Sequence, residues 1–353
     1  MKKFAVFSGF LGAGKTTTMM ALTRYYTAHH GKAAMISNDL GEGVTLADDR
    51  FARLSGVNAS QITDECICFC HDVLTERLNA YYDSGCELVV SDIPGFGVGA
   101  LEHVYHGLSE EYPDVFELGP FTVLIEPRNA ALLRSGQSGD VACILRAQLM
   151  EADLIVLNKC DLLEASELEA DRSWLAEHYP QAKVITISAA TGAGLMELSR
   201  ALMQGKASMR HPDIDYDDKA LQNAMDQLTE YYLEYAAQVC CKDFDGTEYL
   251  SDMARMVQAE LQAGGYEIPH MKLLAWEAEG DYGKVDLLGV DRPIEITRRF
   301  ERPCTDIAVV LNANAACPAR ELDEIILGAA KAASQMHQLE IRIFKKVCFN
   351  LGE

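Results

Sequence analysis

The sequence predicts an α/β fold with a mostly parallel sheet flanked by helices, followed by a smaller α+β domain. Up to about residue 205, short apolar runs alternate with helical patterns, which is typical of a parallel sheet covered on both faces. A glycine-rich motif directly follows the first apolar run, where a strand would end and a helix begin. Beyond residue 205 the composition becomes acidic and the order of the runs changes. We therefore predict two domains, over residues 1–205 and 206–353.

Six β-branched or apolar runs in the first domain predict its strands. Ligands of parallel sheets bind at the carboxyl ends of the strands, so we expect functional residues at those ends. The predicted strands are 4–7, 33–37, 88–91, 121–125, 154–157 and 184–187, and the helical patterns include 16–29 and 166–178.

The second domain begins with an acidic stretch. Residues 211–261 contain twelve Asp and Glu against three Lys and Arg, and the helical patterns there predict a solvated helical face. Strand-like runs follow near 271–276, 285–290, 307–311 and 340–347, with a helical pattern over 320–336. That order predicts the α+β class, and we expect this domain to recognise a client protein or to form a dimer contact.

Charge and composition exclude several classes of protein. The formal net charge of −22 argues against a nucleic-acid footprint and against binding to an anionic membrane. No uninterrupted apolar run of 18 residues is present, and the chain starts directly with a strand-like run, so we expect neither a membrane span nor a secretion signal. The eleven cysteines are then expected to be thiols or metal ligands in a cytoplasmic protein.

Residues 9–16 have the G-x-x-x-x-G-K-T spacing of a phosphate-binding loop. Backbone N–H groups at a helix N-terminus bind phosphates, the Lys15 ammonium neutralises the β- and γ-phosphates, and the Thr16 hydroxyl holds Mg²⁺. The motif predicts a P-loop nucleoside triphosphatase. The residues expected to contact the nucleotide are Gly12, Ala13, Gly14, Lys15, Thr16 and Thr17.

A second motif, N-K-x-D, follows the run 154–157 and consists of Asn158, Lys159, Cys160 and Asp161. A carboxylate at the last position accepts two hydrogen bonds from guanine, a pattern that adenine does not offer. Residues Ser188 and Ala189 fit a loop that closes over the base. These residues favour GTP over ATP.

A D-x-x-G sequence lies between these motifs, at the end of the third predicted strand. Asp92 is expected to reach Mg²⁺ and the Gly95 amide to contact the γ-phosphate, so that the following residues 96–99 become a switch that senses hydrolysis. We call residues 92–99, which include these contacts, the second switch segment. An alternative is that Asp92 caps a following helix. Phe96 cannot orient an attacking water, and we expect slow hydrolysis without a partner or dimerisation.

Cys66, Cys68 and Cys70 form the most distinctive cluster. A bend in the chain would bring three alternating thiolates around one ion. Thiolates favour Zn²⁺, Cu⁺ or another soft ion, with Co²⁺ and Ni²⁺ permitted. Three protein ligands leave one coordination position for a partner or substrate, whereas Glu65 or His71 would close the site and make it structural. His103 and His106 have the spacing of one helical face near this region.

In their order along the chain these motifs resemble the CobW-type GTPases, which are relatives of nickel-insertion and cobalamin-enzyme chaperone GTPases. The resemblance rests on residues 8–17, 38–42, the cysteine cluster and 158–161, and it covers roughly residues 1–205. It implies a GTP-hydrolysing metallochaperone or cofactor-maturation factor whose cysteines bind metal. It also implies that residues 38–41, the first switch segment with Asp39, contact Mg²⁺ or the attacking water.

Two functions remain open at this stage. The first is a metallochaperone that hydrolyses GTP to GDP and delivers a metal to a client metalloenzyme. The second is a gating chaperone of a corrinoid-dependent enzyme in which the cysteines are structural. A homodimer is compatible with both functions.

Overall fold

The computed structural model describes residues 2–240, 242–278, 280–350 and 352. The chain divides into two compact units, of which the first comprises the residues up to Leu40 and Gly56–Met225. The second comprises Gly41–Ser55 and the chain from Asp226 onward. Residues 206–225 thus lie in the first unit, and a short segment from the first third of the chain lies in the second.

The first unit is built on a parallel sheet, which confirms the predicted fold class. In the described part of the chain its strand order is β3-β2-β4-β1-β6-β7-β8, and β5 pairs with β1. The sequence analysis did not predict β3 and β5, which are short and only partly buried. The strands are β1 (Lys3–Ser8), β2 (Lys32–Asn38), β3 (Ala59–Ile62), β4 (Cys86–Asp92), β5 (Glu117–Leu118), β6 (Thr122–Ile125), β7 (Leu154–Leu157) and β8 (Lys183–Thr186).

Helices connect these strands, as parallel pairing requires. A π-helical turn at Leu101–His106 runs directly into α4, and such turns are frequent at functional sites. The helices are α1 (Lys15–His29), α2 (Ala47–Leu54), α3 (His71–Asp83), α4 (Gly107–Glu111), α5 (Pro127–Arg134), α6 (Asp140–Glu151), α7 (Ala165–His178), α8 (Leu195–Gln204) and α9 (Lys219–Asp226); α2 lies in the segment assigned to the second unit.

The central strand β1 is completely buried, which explains its apolar sequence. It lies between β4 and β6, and all three strands point the same way. Their carboxyl ends therefore meet at one edge of the sheet, directly where the phosphate-loop motif begins.

The second unit contains an antiparallel sheet of order β12-β11-β10-β13-β9-β14. Buried hydroxyl groups join the strand Thr229–Val239 to the helices Gly246–Gly264 and Ala319–Met336. Tyr235 Oη of the strand lies 2.9 Å from Tyr249 Oη of the first helix, which lies 3.1 Å from Ser334 Oγ of the second. The helices α10 and α11 pack on the face of the sheet that carries the apolar core. The elements are β9 (Thr229–Val239), α10 (Gly246–Gly264), β10 (Glu267–Trp276), β11 (Tyr282–Leu287), β12 (Glu295–Arg298), β13 (Asp306–Ala316), α11 (Ala319–Met336) and β14 (Leu339–Asn350).

The helical interpretation of residues 211–261 is wrong for Thr229–Val239, which form the strand β9. This strand pairs with β13 on one side and β14 on the other. Its Tyr231, Leu233 and Tyr235 alternate toward the apolar core, and the side chain of Glu230 is also buried. Acidic residues on this strand are therefore not a solvated helical face.

Among the described residues, no helix combines the length and the apolar character needed to cross a lipid bilayer.

Candidate functional site

Two glycines of the phosphate loop are required by backbone geometry. Gly9 and Gly14 have φ angles of 129° and 89°, and a Cβ on Gly14 would lie 2.4 Å from the Asn158 Nδ2 atom. A Cβ on Gly9 would lie 2.3 Å from the carbonyl oxygen of Leu124 in β6. Lys15 begins α1 and places its Nζ 2.7 Å from the Gly9 carbonyl oxygen. The loop therefore wraps closely around the lysine, at the N-terminus of a helix.

The Asn158 side chain joins the phosphate loop to the predicted base loop. Its Nδ2 donates to the Ala13 carbonyl at 2.9 Å, and its Oδ1 accepts from the Ala189 N–H at 3.1 Å. Asn158 is buried at the end of β7. One amide thus fixes the distance between the segments predicted to hold the phosphates and the base.

The remaining residues of the N-K-x-D motif form a turn. Lys159 has a left-handed backbone, with φ of 60°, and its Nζ lies 2.8 Å from Glu126 Oε2. Asp161 is exposed on the 3₁₀ turn Cys160–Leu162, and Ser188 is buried after β8. The structure brings these residues to one edge of the sheet, and base recognition by Asp161 stays a prediction.

The first switch segment meets the predicted magnesium carboxylate at the ends of β2 and β4. The Asn38 N–H donates to Asp92 Oδ1 at 2.9 Å, and both residues are buried. Asp39 follows immediately and is partly exposed. The Thr16 hydroxyl and the Asp92 carboxylate are the kinds of oxygen ligand that Mg²⁺ prefers.

The same Asn38 holds the backbone of the cysteine loop. Its Nδ2 donates to the Glu65 carbonyl at 2.9 Å, and its Oδ1 accepts from the Ile67 N–H at 3.0 Å. Cys66 lies between these two contacts in the sequence. A displacement of Asn38 therefore displaces the backbone on both sides of Cys66.

The second switch segment touches the phosphate loop and is held by α6. A Cβ on Gly95 would lie 3.0 Å from the Leu11 backbone nitrogen, so only glycine allows this approach. The buried Gln148 donates through Nε2 to the carbonyl oxygens of Gly95 and Gly97, both at 3.0 Å. The sequence analysis missed Gln148 because no local motif marks it.

Glu151 lies about one helical turn after Gln148 on the same face of α6, and it contacts the backbone at the end of the second switch segment. Its carboxylate is fully buried and accepts from the Leu101 N–H and from the Tyr216 hydroxyl, both at 3.3 Å. Burial raises the pKa of Glu151 to about 8, although the hydrogen bonds oppose this shift. The sequence analysis also missed this residue.

The cysteine loop brings two of the three predicted metal ligands together. Cys66 Sγ and Cys68 Sγ lie 3.0 Å apart, whereas Cys70 Sγ donates to the Cys66 carbonyl at 3.4 Å. In the described ranges of the chain, no three His, Cys, Asp or Glu side chains are arranged to hold an ion. Three thiols on one turn have the chemistry of a soft-metal donor set, and the third would have to leave its carbonyl partner.

The histidines considered in the sequence analysis have separate neighbours. The ring of His103 lies 5.5 Å from Phe69 of the cysteine loop. His106 instead lies 4.5 Å from the ring of His211, and His71 Nδ1 is 3.1 Å from Glu111 Oε1. The two residues His103 and His106 therefore do not act on the loop together.

A family model for the nucleotide-binding domain of CobW, HypB and UreG matches residues 3–186, more than half of the chain. The chain belongs to the CobW/HypB/UreG family. It is accordingly a GTPase, which binds guanine nucleotide with Mg²⁺ and hydrolyses GTP.

Solved structures of similar proteins include HypB from Helicobacter pylori in complex with nickel, with 18% identity and a TM-score of 0.41. That match covers 57% of this chain and 85% of HypB. The Zn(II)-bound YjiA GTPase from E. coli matches with 17% identity and a TM-score of 0.38, over 93% of this chain and 98% of YjiA. The search of curated proteins found no match.

Substitution of Gln148 by Leu should lower kcat for GTP hydrolysis about tenfold, because two hydrogen bonds to the second switch segment are lost. Single-turnover and steady-state assays measure this. KM and GDP affinity should stay within about twofold of the wild type, since Gln148 contacts no predicted nucleotide ligand except through the Gly95 backbone.

The matched control is Gln181→Leu, which removes a similar amide contact to the Leu149 carbonyl at 3.2 Å, away from the second switch segment. Equal losses of kcat in both variants, or a loss of GDP affinity in Gln148→Leu, would show a general structural role instead.

Glu151→Gln should flatten the pH dependence of stability. The folded-state pKa of about 8 lies above the usual 4.5, so Glu151 disfavours folding progressively as pH rises from about 4.5 to 8. The expected slope is on the order of 1 kcal/mol per pH unit, and it disappears with a neutral amide. Thermal melting of both proteins at pH 5.5 and 7.5 measures the difference.

The exposed Glu169→Gln variant on α7 serves as the control and should keep the wild-type slope. A wild-type slope in Glu151→Gln would mean that this carboxyl group ionises normally.

Proposed function

We propose that this GTPase is a metallochaperone that couples GTP hydrolysis to delivery of a metal ion held by Cys66, Cys68 and Cys70. The observation that carries the proposal is the position of Asn38 between Asp92 and the cysteine loop. One residue of the first switch segment contacts the predicted magnesium carboxylate through its backbone and the loop through its side chain. A displacement of the first switch segment on loss of the γ-phosphate would therefore displace the cysteine loop through Asn38.

The electrostatic environment of the loop favours a cation. The hydrogen bond between Cys66 and Cys68 lowers the pKa of the Cys66 thiol, whereas burial and the nearby carboxylates of Asp39 and Asp92 oppose this shift. Burial raises the pKa of Cys70 to about 11, and nearby Glu65 adds to this increase. Thiolates surrounded by carboxylates are unfavourable without a bound positive charge, so a divalent ion would relieve this repulsion.

The surface beside the thiols supports transfer to another protein. Phe69, between Cys68 and Cys70, has an exposed fraction of 67%, and Val73 on α3 is also exposed. Exposed apolar side chains of this kind commonly mark protein contacts. A client protein that docks here would lie directly beside the thiols, as delivery of their metal requires.

In this mechanism Lys15 and the phosphate-loop amides bind the phosphates, and Thr16 and Asp92 would hold Mg²⁺. Asp39 and Gly95 respond to the γ-phosphate from the two switch segments. When bound by these two residues, Mg²⁺ would supply positive charge to stabilise the negative charge that develops on the phosphates. Loss of the γ-phosphate then releases the switch segments, Asn38 shifts, and the cysteine loop changes its affinity for the metal.

The affinity for Zn²⁺ should differ about fivefold or more between the complexes with GDP and with a non-hydrolysable GTP analogue, in the range usual for coupled sites. Competition with a chromophoric chelator measures it. Asn38→Ala should reduce the difference to below about twofold. Asn58→Ala, which removes an exposed amide elsewhere in the first unit, should leave it unchanged.

Equal Zn²⁺ affinities in all nucleotide states would rule out this coupling. The Cys68→Ser variant separates the two functions: a metallochaperone loses Zn²⁺ binding and client activation together. Lower thermal stability with full client activation would favour the gating chaperone with structural cysteines.

A further inference from the structure

The segment Gly41–Ser55 belongs to the second unit although it follows the first switch segment directly in sequence. The chain leaves the first unit after Leu40 and returns to it at Gly56. Between these points it forms α2, and its contacts with the sheet of the second unit are extensive. We call residues 41–55 the 41–55 segment.

Side chains of the sheet bind backbone N–H groups of the 41–55 segment. The Thr45 N–H donates to Glu234 Oε1 at 2.6 Å, and the Ala47 N–H donates to Asn312 Oδ1 at 2.6 Å. Ala47 is the first residue of α2, whose own preceding residue Leu46 provides no capping side chain. Asn312 in β13 therefore caps a helix that is distant in sequence, which stabilises α2 only while it lies on the sheet.

A buried charge network fixes the same helix. The Asp48 carboxylate accepts from the Lys272 ammonium and lies 3.9 Å from that of Lys284. Lys284 in turn lies 2.7 Å from Asp286, and Asp48, Lys284 and Asp286 are all buried. Separation of α2 from the sheet would leave these charges incompletely paired, so intermediate positions are costly.

Apolar and aromatic contacts complete the attachment. Val44 and Leu46 pack with Tyr232 of β9. Phe51 packs edge-on against Tyr282 at 6.0 Å, and the Arg50 guanidinium lies 4.6 Å from the centre of the Trp276 ring. The 41–55 segment is thus part of the core of the second unit and is not a surface loop.

The connection to Asp39 is short and closely packed. Asn38 is hydrogen-bonded to Asp92, and Thr45 is hydrogen-bonded to Glu234. Only six residues, 39–44, separate Asn38 from Thr45. A Cβ on Gly41 would lie 2.6 Å from Val44 Cγ2 and 2.9 Å from the Tyr232 ring. Gly41 is therefore closely packed within the second unit, only two positions after Asp39.

We propose that the 41–55 segment transmits the nucleotide state sensed at Asp39 to the sheet of the second unit. Binding or loss of the γ-phosphate changes how firmly the segment packs on β10 and β13. Linkage makes this effect reciprocal. The factor by which GTP and GDP differ in their effect on the packing equilibrium equals the factor by which packing changes the ratio of GTP to GDP affinity. This inference goes beyond the proposed function, because it requires guanine nucleotide and no metal at the cysteines.

Hydrogen exchange of the full-length protein with GDP and with a GTP analogue tests the proposal in metal-free buffer. Exchange rates should differ between the nucleotides in residues 44–55 and, to a similar extent, in β10 and β13. Asp48→Asn should weaken the attachment and change the ratio of GTP-analogue to GDP affinity about threefold or more. Arg50→Gln is a milder second variant and should act in the same direction.

Asp323→Asn is the matched control, because Asp323 pairs with Lys346 and the Tyr231 hydroxyl in the same unit, away from the 41–55 segment. It should leave the nucleotide ratio within twofold. Two results would overturn the proposal: nucleotide-dependent exchange near Asp39 with none in residues 44–55, or an unchanged affinity ratio in a folded Asp48→Asn or Arg50→Gln variant. If Zn²⁺ affinity proves independent of the nucleotide, the expected exchange differences and the expected change in the nucleotide affinity ratio still hold, because neither depends on metal.

Discussion

The arrangement of the first unit depends on one buried amide, the side chain of Asn38. Its two N–H groups donate to the carbonyls of Ile62 and Glu65, and its oxygen accepts from the Ile67 N–H. An amide buried in this way loses substantial free energy if any partner moves away, so its geometry is strongly specified. Because the Asn38 backbone also bonds to Asp92, this one residue joins the cysteine loop, the end of β2 and the end of β4.

Residues with local chemical requirements could be predicted from the sequence. A phosphate loop requires the positive φ of Gly14 and its close approach to Asn158. This requirement appears in the sequence as the fixed spacing of glycines in the motif. Gln148 and Glu151 carry no such signal, because their function depends on α6 lying against the second switch segment. Only a three-dimensional arrangement shows that these two side chains meet the same backbone segment.

The second unit was harder to predict because it buries polar residues. Glu230 lies within the sheet and accepts from Tyr232 Oη at 2.7 Å and from the Asn314 amide. Asp48 of α2 is similarly neutralised by two lysines. In a sequence such residues indicate a solvated face, and several of the partners that make their burial possible are distant: Asn314 lies 84 positions from Glu230 and Lys272 lies 224 positions from Asp48.

The two switch segments are held by different means, and this difference has a physical consequence. The second is bonded to α6 inside the first unit, whereas the first continues into the 41–55 segment of the other unit. Networks of buried charges and amides are stable when complete and costly when partly broken, so they favour discrete arrangements over gradual deformation. If the nucleotide state alters how the 41–55 segment packs, as proposed above, the Asp48 network favours a change between two arrangements, packed and released, over gradual deformation.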